Sequence, residues 1–106
     1  MMCAPAILAV QIEVLTAEDV QRIVGRVFGV TISDLTSPSR SAHLSWARHV
    51  AIYLVREILG FSFPRTAICF KRDHTKAIHS CNRVLARMAK EAQFGALVER
   101  LKRECR

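Results

Sequence analysis

Apolar residues along this chain recur at steps of three and four, and no stretch alternates for long at a period of two. No Asn-Gly or Asp-Gly hairpin signal interrupts them, so helical spacing governs the reading. Thr16 opens a first helix, with Glu18 and Asp19 in its first turn where acids complement the dipole. Val20, Ile23, Val24, Val27 and Phe28 form its stripe and Gly29 ends it. Val30 to Ser41 is short, polar and contains Pro38, which predicts a loop with one helical turn around Ser33–Thr36.

A second long helix is expected from about Ser45 to Leu59, stopped by Gly60. Trp46, Val50, Tyr53, Leu54 and Ile58 give it a broad apolar face, with Arg48 and Arg56 near the opposite side. Pro64 suits a first helical position, where its missing N–H would be unpaired anyway, and opens a two-turn element ending near Phe70. Asp73 is expected to cap the next helix with its carboxylate, and that helix runs to about Ala89. A last amphipathic helix spans roughly Lys90 to Glu104, with Leu97, Val98 and Leu101 inward. The pattern predicts an all-α protein, a compact bundle of five or six helices.

The helix after Asp73 carries two distinct faces. At 100° per residue, Ile78, Cys81, Leu85 and Met88 fall on one meridian, expected to be buried. Lys76, His79, Ser80, Arg83, Arg87 and Lys90 fall on the other, as a cationic strip. A two-turn helix, a tight turn and such a helix make a helix-turn-helix, which sets its second helix in a major groove. A solvated helix face also carries Lys and Arg without any ligand, so periodicity alone leaves both readings open.

Charge changes the picture. The 106 residues hold 16 Lys plus Arg against 9 Asp plus Glu, a net +7. Residues 1–30 carry two basic and three acidic groups, 31–60 three and two, and 61–106 eleven and four. The excess therefore sits in the last third, on the proposed helix-turn-helix and its flanks, and favours an anionic partner such as nucleic acid or a membrane surface. An apolar content of 51% excludes a disordered polycation. The start, Met1 to Ile12, is apolar but has no basic lead and is followed by Glu13; it is read as neither a signal peptide nor a membrane span. Residues 1–15 are expected to be an N-terminal extension that docks on a partner, packs on the domain or frays, and 16–106 the folded domain. Cysteines 3, 69, 81 and 105 form no CxxC pair, which favours reduced thiols and a cytoplasmic setting.

Residue identities go further. Ser62-Phe63-Pro64, Phe70, Arg72-Asp73-His74-Thr75 and Ile78-His79 with Cys81 resemble the C-terminal DNA-binding domain of the bacterial replication initiator DnaA. Ala47-Arg48-His49-Val50-Ala51, Tyr53-Leu54 and Arg56-Glu57 resemble that domain's long helix, and Thr16 to Leu35 its opening helix and loop. The resemblance covers about residues 16–90. It implies sequence-specific double-stranded DNA binding in replication control or transcription. Asp73, His74, Thr75 and Lys76 would meet base edges; Arg48, His49, Arg56, Phe63, Pro64 and His79 would match phosphate contacts. Arg40 would lie in a basic loop near the minor groove; beside these, Arg83 and Arg87 of the cationic strip and the flanking Arg72 are expected to hold the DNA backbone. The chemistry suits these roles: Thr offers a methyl and a hydroxyl, Lys reaches guanine O6 or N7, and Asp accepts from cytosine N4.

The sequence also departs from the family. Trp46 stands where an arginine usually enters the minor groove, Pro38, Ser39 and Ala42 dilute the basic loop, and Lys76 replaces a common threonine. The turn Phe70-Lys71-Arg72 is one residue shorter than the usual Phe-Gly-Gly-Arg. These 106 residues contain no G-x-x-x-x-G-K-[ST] loop, so no nucleotide or other cofactor is expected to bind them, and any ATP-driven opening of an origin would need a partner.

Other readings of the same residues are weaker. Cumulative rotation on a helix is about 500° from His74 to His79 and about 200° from His79 to Cys81, which sets His79 apart from the other two, whereas structural zinc needs four convergent ligands, so no metal is expected. Cys69 and Cys81 read as small core residues. No acid orients a His beside a Cys, so no enzyme is expected. Trp46 and Tyr53 fit core packing better than a stacking platform for single strands. His74 lies on the apolar meridian and reads either as a core histidine or as a first-turn side chain reaching past the helix end. The rival function is a protein-interaction module that has kept only weak DNA affinity and engages a replication or transcription protein.

Overall fold

The computed structural model describes residues 15–105, and six helices follow one another through them. They are α1 (Ala17–Phe28), α2 (Ile32–Leu35), α3 (Ala42–Leu59), α4 (Phe63–Cys69), α5 (His74–Lys90) and α6 (Ala92–Glu104), with no strand among the described residues. The expected N-terminal extension lies outside the described residues except for Leu15, which packs on the core.

Side-chain caps set four of the six helix starts. Thr16 Oγ1 accepts from the Asp19 N–H at 3.1 Å and Asp19 Oδ2 accepts from the Thr16 N–H at 3.0 Å, a reciprocal box that starts α1. These hydrogen bonds hold the Asp19 carboxyl below its usual pKa, the Thr16 backbone N–H acting most strongly. Thr31 and Asp34 repeat the box at α2, the single turn expected near Ser33. Gly29 and Gly60 close α1 and α3 in the left-handed region, at φ 72° and 69°.

Several boundaries differ from the sequence reading. α3 begins three residues early, because the Ser41 hydroxyl accepts from the Leu44 N–H at 3.3 Å. Pro64 occupies the second position of α4, behind Phe63, and Ser62 caps that helix through the Arg65 N–H. Asp73 is the N-cap of α5, yet its carboxylate makes no capping hydrogen bond. Glu91, extended at φ −121° and ψ 106°, separates α5 from α6 and moves the start of α6 to Ala92.

α3 is the axis of the fold and touches every other helix. Its residues Val50 to Val55 are all buried, so the helix is enclosed on all sides and not along one stripe. Val20 and Val24 of α1, Leu35, Phe70, Ala77, Cys81 and Val84, and Phe94, Val98 and Leu101 of α6 complete one core around it.

The buried side of α5 differs from the predicted meridian. Ala77, Ser80, Cys81 and Val84 face inward, while Ile78 is 36% exposed and Leu85 51%. Small side chains line this seam and let α5 approach its neighbours closely; Ile and Leu at those positions would hold the helix off. Val27 of α1 is likewise exposed. Cys69, Cys81 and Cys105 are free thiols, with Cys81 and Cys105 buried as small apolar residues and Cys69 half-buried. Burial pushes the Cys81 thiol up to about 11.

The loop after α1 folds tightly onto Gly25, whose carbonyl accepts from the Val30 N–H at 2.9 Å. A Cβ at position 25 would collide with the Val30 carbonyl oxygen. Glycine to alanine in a helix ordinarily adds stability of up to about 1 kcal/mol. Here the sign reverses: Gly25→Ala is expected to lose about 1–3 kcal/mol in urea unfolding, because backbone and not a flexible side chain must give way. An unchanged or raised midpoint would refute this.

Candidate nucleic-acid interface

α4 and α5 form the helix-turn-helix, and the turn between them has a definite hydrogen-bond pattern. The Arg72 N–H donates to the Ala67 carbonyl at 3.0 Å and the Lys71 N–H to Ile68 at 3.2 Å. This is a Schellman closure, and it puts Lys71 in the left-handed region at φ 55°. A side chain there costs about 1 kcal/mol relative to glycine. The geometry keeps Phe70 in the core and turns Lys71 outward.

A concavity of about 520 Å³ opens beside this turn. Pro38, Ser39 and Arg40 form one wall, Arg48, His49 and Ile52 of α3 the floor, and Lys71, Arg72, Asp73, Lys76, His79 and Ser80 the other wall. The structure therefore brings together seven of the predicted residues: Arg40, Arg48, His49, Arg72, Asp73, Lys76 and His79. Asp73, His74, Thr75 and Lys76 are all exposed around the first turn of α5. His74 is thus exposed at the first position of α5 and is no core residue. Cys81 is buried in the core while His74 and His79 are exposed, so the three do not share one environment.

The cations of the concavity are not equivalent. Arg48 is only 7% exposed, although the wheel set it on an outer face. Its Nε donates to the Leu35 carbonyl at 2.9 Å and its Nη2 to those of Ser37 and Ser39 at 3.0 and 3.1 Å. Burial, with the charge of Arg72 nearby, lowers its pKa. Arg72 Nη2 donates to the same Ser37 carbonyl, and its Nη1 to Phe70 and Lys71 at 3.3 Å. Both guanidiniums therefore fix the loop that presents Arg40.

His49 is neutral at ordinary pH. Burial pushes its pKa down to about 4, helped by the charges of Arg83, His79 and Arg48. Its Nδ1 pairs with the buried Ser80 hydroxyl at 2.8 Å, stitching α3 to α5. The ring stands edge-on to Trp46 at 5.3 Å and to His79 at 6.2 Å.

The remaining predicted residues lie elsewhere. Arg56 stacks on Phe63 at 3.8 Å and donates to the Phe61 carbonyl at 2.8 Å; neither they nor the exposed Pro64 line the concavity. Arg83 and Arg87 line a second recess with half-buried Trp46, Ala86, Lys90 and Glu91. Sequence reasoning missed Lys71 as a wall residue and Ser80 as a buried partner of His49. The first was signalled by its place in the turn. The second had no signal, since Ser80 sat among cations on the wheel.

Residues 17–84 match the family model described as the bacterial DnaA protein helix-turn-helix. The chain belongs to this DnaA family. Among solved structures, a crystal structure of a DNA replication initiation factor is similar at 30% identity and a TM-score of 0.77, over 84% of this chain and 27% of that one. A replication initiator DnaA bound to AMPPCP and single-stranded DNA is similar at 30% identity and 0.69, over 83% and 28%. AMPPCP-bound DnaA from Aquifex aeolicus follows at 27% identity and 0.66, over 82% and 27%. The chain thus spans about a quarter of the length of these DnaA structures. The DnaA family match ends at Val84, within α5 and before α6, so it takes in Trp46 and Arg83 of the second recess but not Ala86, Arg87, Lys90 or Glu91.

The depressed pKa of His49 makes stability depend on pH. The unfolded chain protonates this imidazole near 6.5 whereas the folded one waits until about 4, so the unfolded state binds more protons between them. Stability is full above 6.5 and falls as pH drops through that window, by about 1–3 kcal/mol after allowance for partial solvation. Thermal melting from pH 7 to 4 measures it, and His49→Asn is expected to flatten the profile.

Proposed function

We propose that this DnaA-type domain binds double-stranded DNA in a sequence-specific way, with α5 in the major groove. The observation that carries the reading is the exposed Asp73-His74-Thr75-Lys76 turn set at the mouth of a concavity lined by Arg40, Lys71, Arg72, Lys76 and His79. Lys76 and Thr75 contact base edges, Asp73 accepts from an exocyclic amine, and His74 adds a donor or acceptor at the helix end. Phosphates are held by Arg40, Lys71 and His79, by Arg83 and Arg87 farther along α5, and by Arg56 with the Phe63-Pro64 turn. Arg48 and Arg72 act mainly by positioning the loop; His49, being neutral, supports α5 from below. The setting is replication control or transcription in the cytoplasm, with no catalytic role and no cofactor for these residues.

Neutralising ~5–8 phosphates makes log affinity fall with log salt at a slope of about −5 to −7. Selection from a random duplex pool at physiological salt tests the reading, and an enriched motif is the expected result. Thr75→Ala and Lys76→Ala are expected to lose about 1–3 kcal/mol on the selected site and little on shuffled duplex. Equal losses on both would remove the base-reading role. ATP is expected to leave affinity unchanged, and a nucleotide-dependent shift would contradict the assignment.

A second reading draws on Ile68 of α4, 76% exposed, and Leu85 of α5: these apolar side chains favour a protein contact in which the domain serves as an interaction module. Uniformly weak duplex binding with no enriched motif would favour it.

A further inference from the structure

Trp46 is the chain's single tryptophan, and its surroundings form a site of their own. Phe94 of α6 meets it edge-on, with ring centroids 5.5 Å apart. The Arg87 guanidinium lies 4.4 Å from the Trp46 ring and 4.3 Å from the Phe94 ring, held between two aromatic surfaces. Its Nε engages Glu91 at 3.2 Å, while none of its hydrogen bonds in the structure uses Nη1 or Nη2. Arg83 lies over the same indole at 5.3 Å. Lys90 completes the recess, and Glu91 is its only acid, so three cations face one carboxylate.

Stacking restrains a guanidinium without consuming its N–H donors, because the ring contacts its flat face and the donors lie around its edge. The outward edge of Arg87 is therefore preset to meet two oxygens of one phosphate, with little side-chain freedom left to lose. Arg83, Arg87 and Lys90 share one side of α5, about 10 Å of helix from first to last at ~1.5 Å per residue. This is an extended row suited to a polyanion.

We propose that Trp46, Arg83, Arg87 and Lys90 form a preorganised phosphodiester site, which grips the DNA backbone beyond the base pairs met by the first turn of α5. The proposal rests on the DNA reading above and assigns Trp46 the part of a positioning residue, acting through Arg87. Phe94 supplies the second surface from α6.

The test uses the whole chain and a labelled mixed-sequence duplex of about 24 base pairs, roughly two helical turns, with binding measured at stepped salt. Arg87→Gln is expected to reduce the magnitude of the log–log salt slope by about 1, the loss of one phosphate contact. Trp46→Ala is expected to reduce it similarly with Arg87 still present, and Trp46→Phe to restore it; circular dichroism melting verifies that each variant folds. If Trp46→Ala does not fold, Arg87→Gln carries the slope test. In the unaltered protein, iodide quenching of Trp46 emission is expected to fall when the duplex binds. Unchanged slope in Arg87→Gln, or unchanged quenching on a bound duplex, overturns the site while leaving DNA binding intact. Failure of the unaltered protein to bind any duplex overturns the DNA reading and this site together.

Discussion

One carbonyl oxygen, that of Ser37, accepts from two guanidiniums, and the shape of the binding face depends on it. A buried guanidinium must find acceptors for its donors, and Arg48 finds them on Leu35, Ser37 and Ser39. Arg72 reaches Ser37 from the helix-turn-helix turn. The loop after α2, the start of α3 and the entrance to α5 are thereby joined at one point. Arg40 is consequently presented from a fixed loop and not from a mobile tail, which reduces the ordering entropy lost on binding. Carbonyls are neutral, so the two charges persist and still contribute to the potential of the concavity.

That concentration of charge needs an offset beneath it. Arg48 and Arg83 lie close enough to His49 to depress its pKa, and a protonated imidazole there would add a further like charge to a partly desolvated place. Holding the ring neutral removes that repulsion, while Nδ1 pairs with the Ser80 hydroxyl. The same pair explains the position of Ser80 on α5: a polar residue enters the seam because it has a partner across it, and small residues at 77, 80 and 81 let the helices close around that bond.

Features governed by local chemistry were legible from the sequence. Thr16, Gly29 and Gly60 mark helix ends through their own side chains or backbone freedom. Features decided by a neighbour were not. The wheel ranked α5 by hydrophobicity and so buried Ile78 and Leu85, whereas the neighbours of α5 selected for small size. Arg48 looked like an outer residue because nothing local reveals that its stem crosses apolar ground to reach three carbonyls. Lys71 sits in a glycine-type conformation that its identity conceals. The first-turn cluster at 73–76 was singled out through the family resemblance; the grouping of Arg40 with Lys71 and His79 needed the fold.

The arginines of this domain divide by what restrains them. Arg48 and Arg72 are held through their N–H groups, so those donors are already engaged, and they build the surface more than they touch a ligand. Arg87 is held against the rings of Trp46 and Phe94, with Nη1 and Nη2 unused in its hydrogen bonds. Arg56 combines the two modes, stacked on Phe63 while donating to Phe61. Exposure alone does not separate them: Arg87, 33% exposed, is half-buried, yet neither its Nη1 nor its Nη2 is used in its hydrogen bonds. Phe94 belongs to α6, past the end of the DnaA family match, so the surface that restrains Arg87 is assembled partly from outside the matched helix-turn-helix. The start of α5 offers a contiguous exposed turn, and α6 restrains the charge at the far end of the same helix.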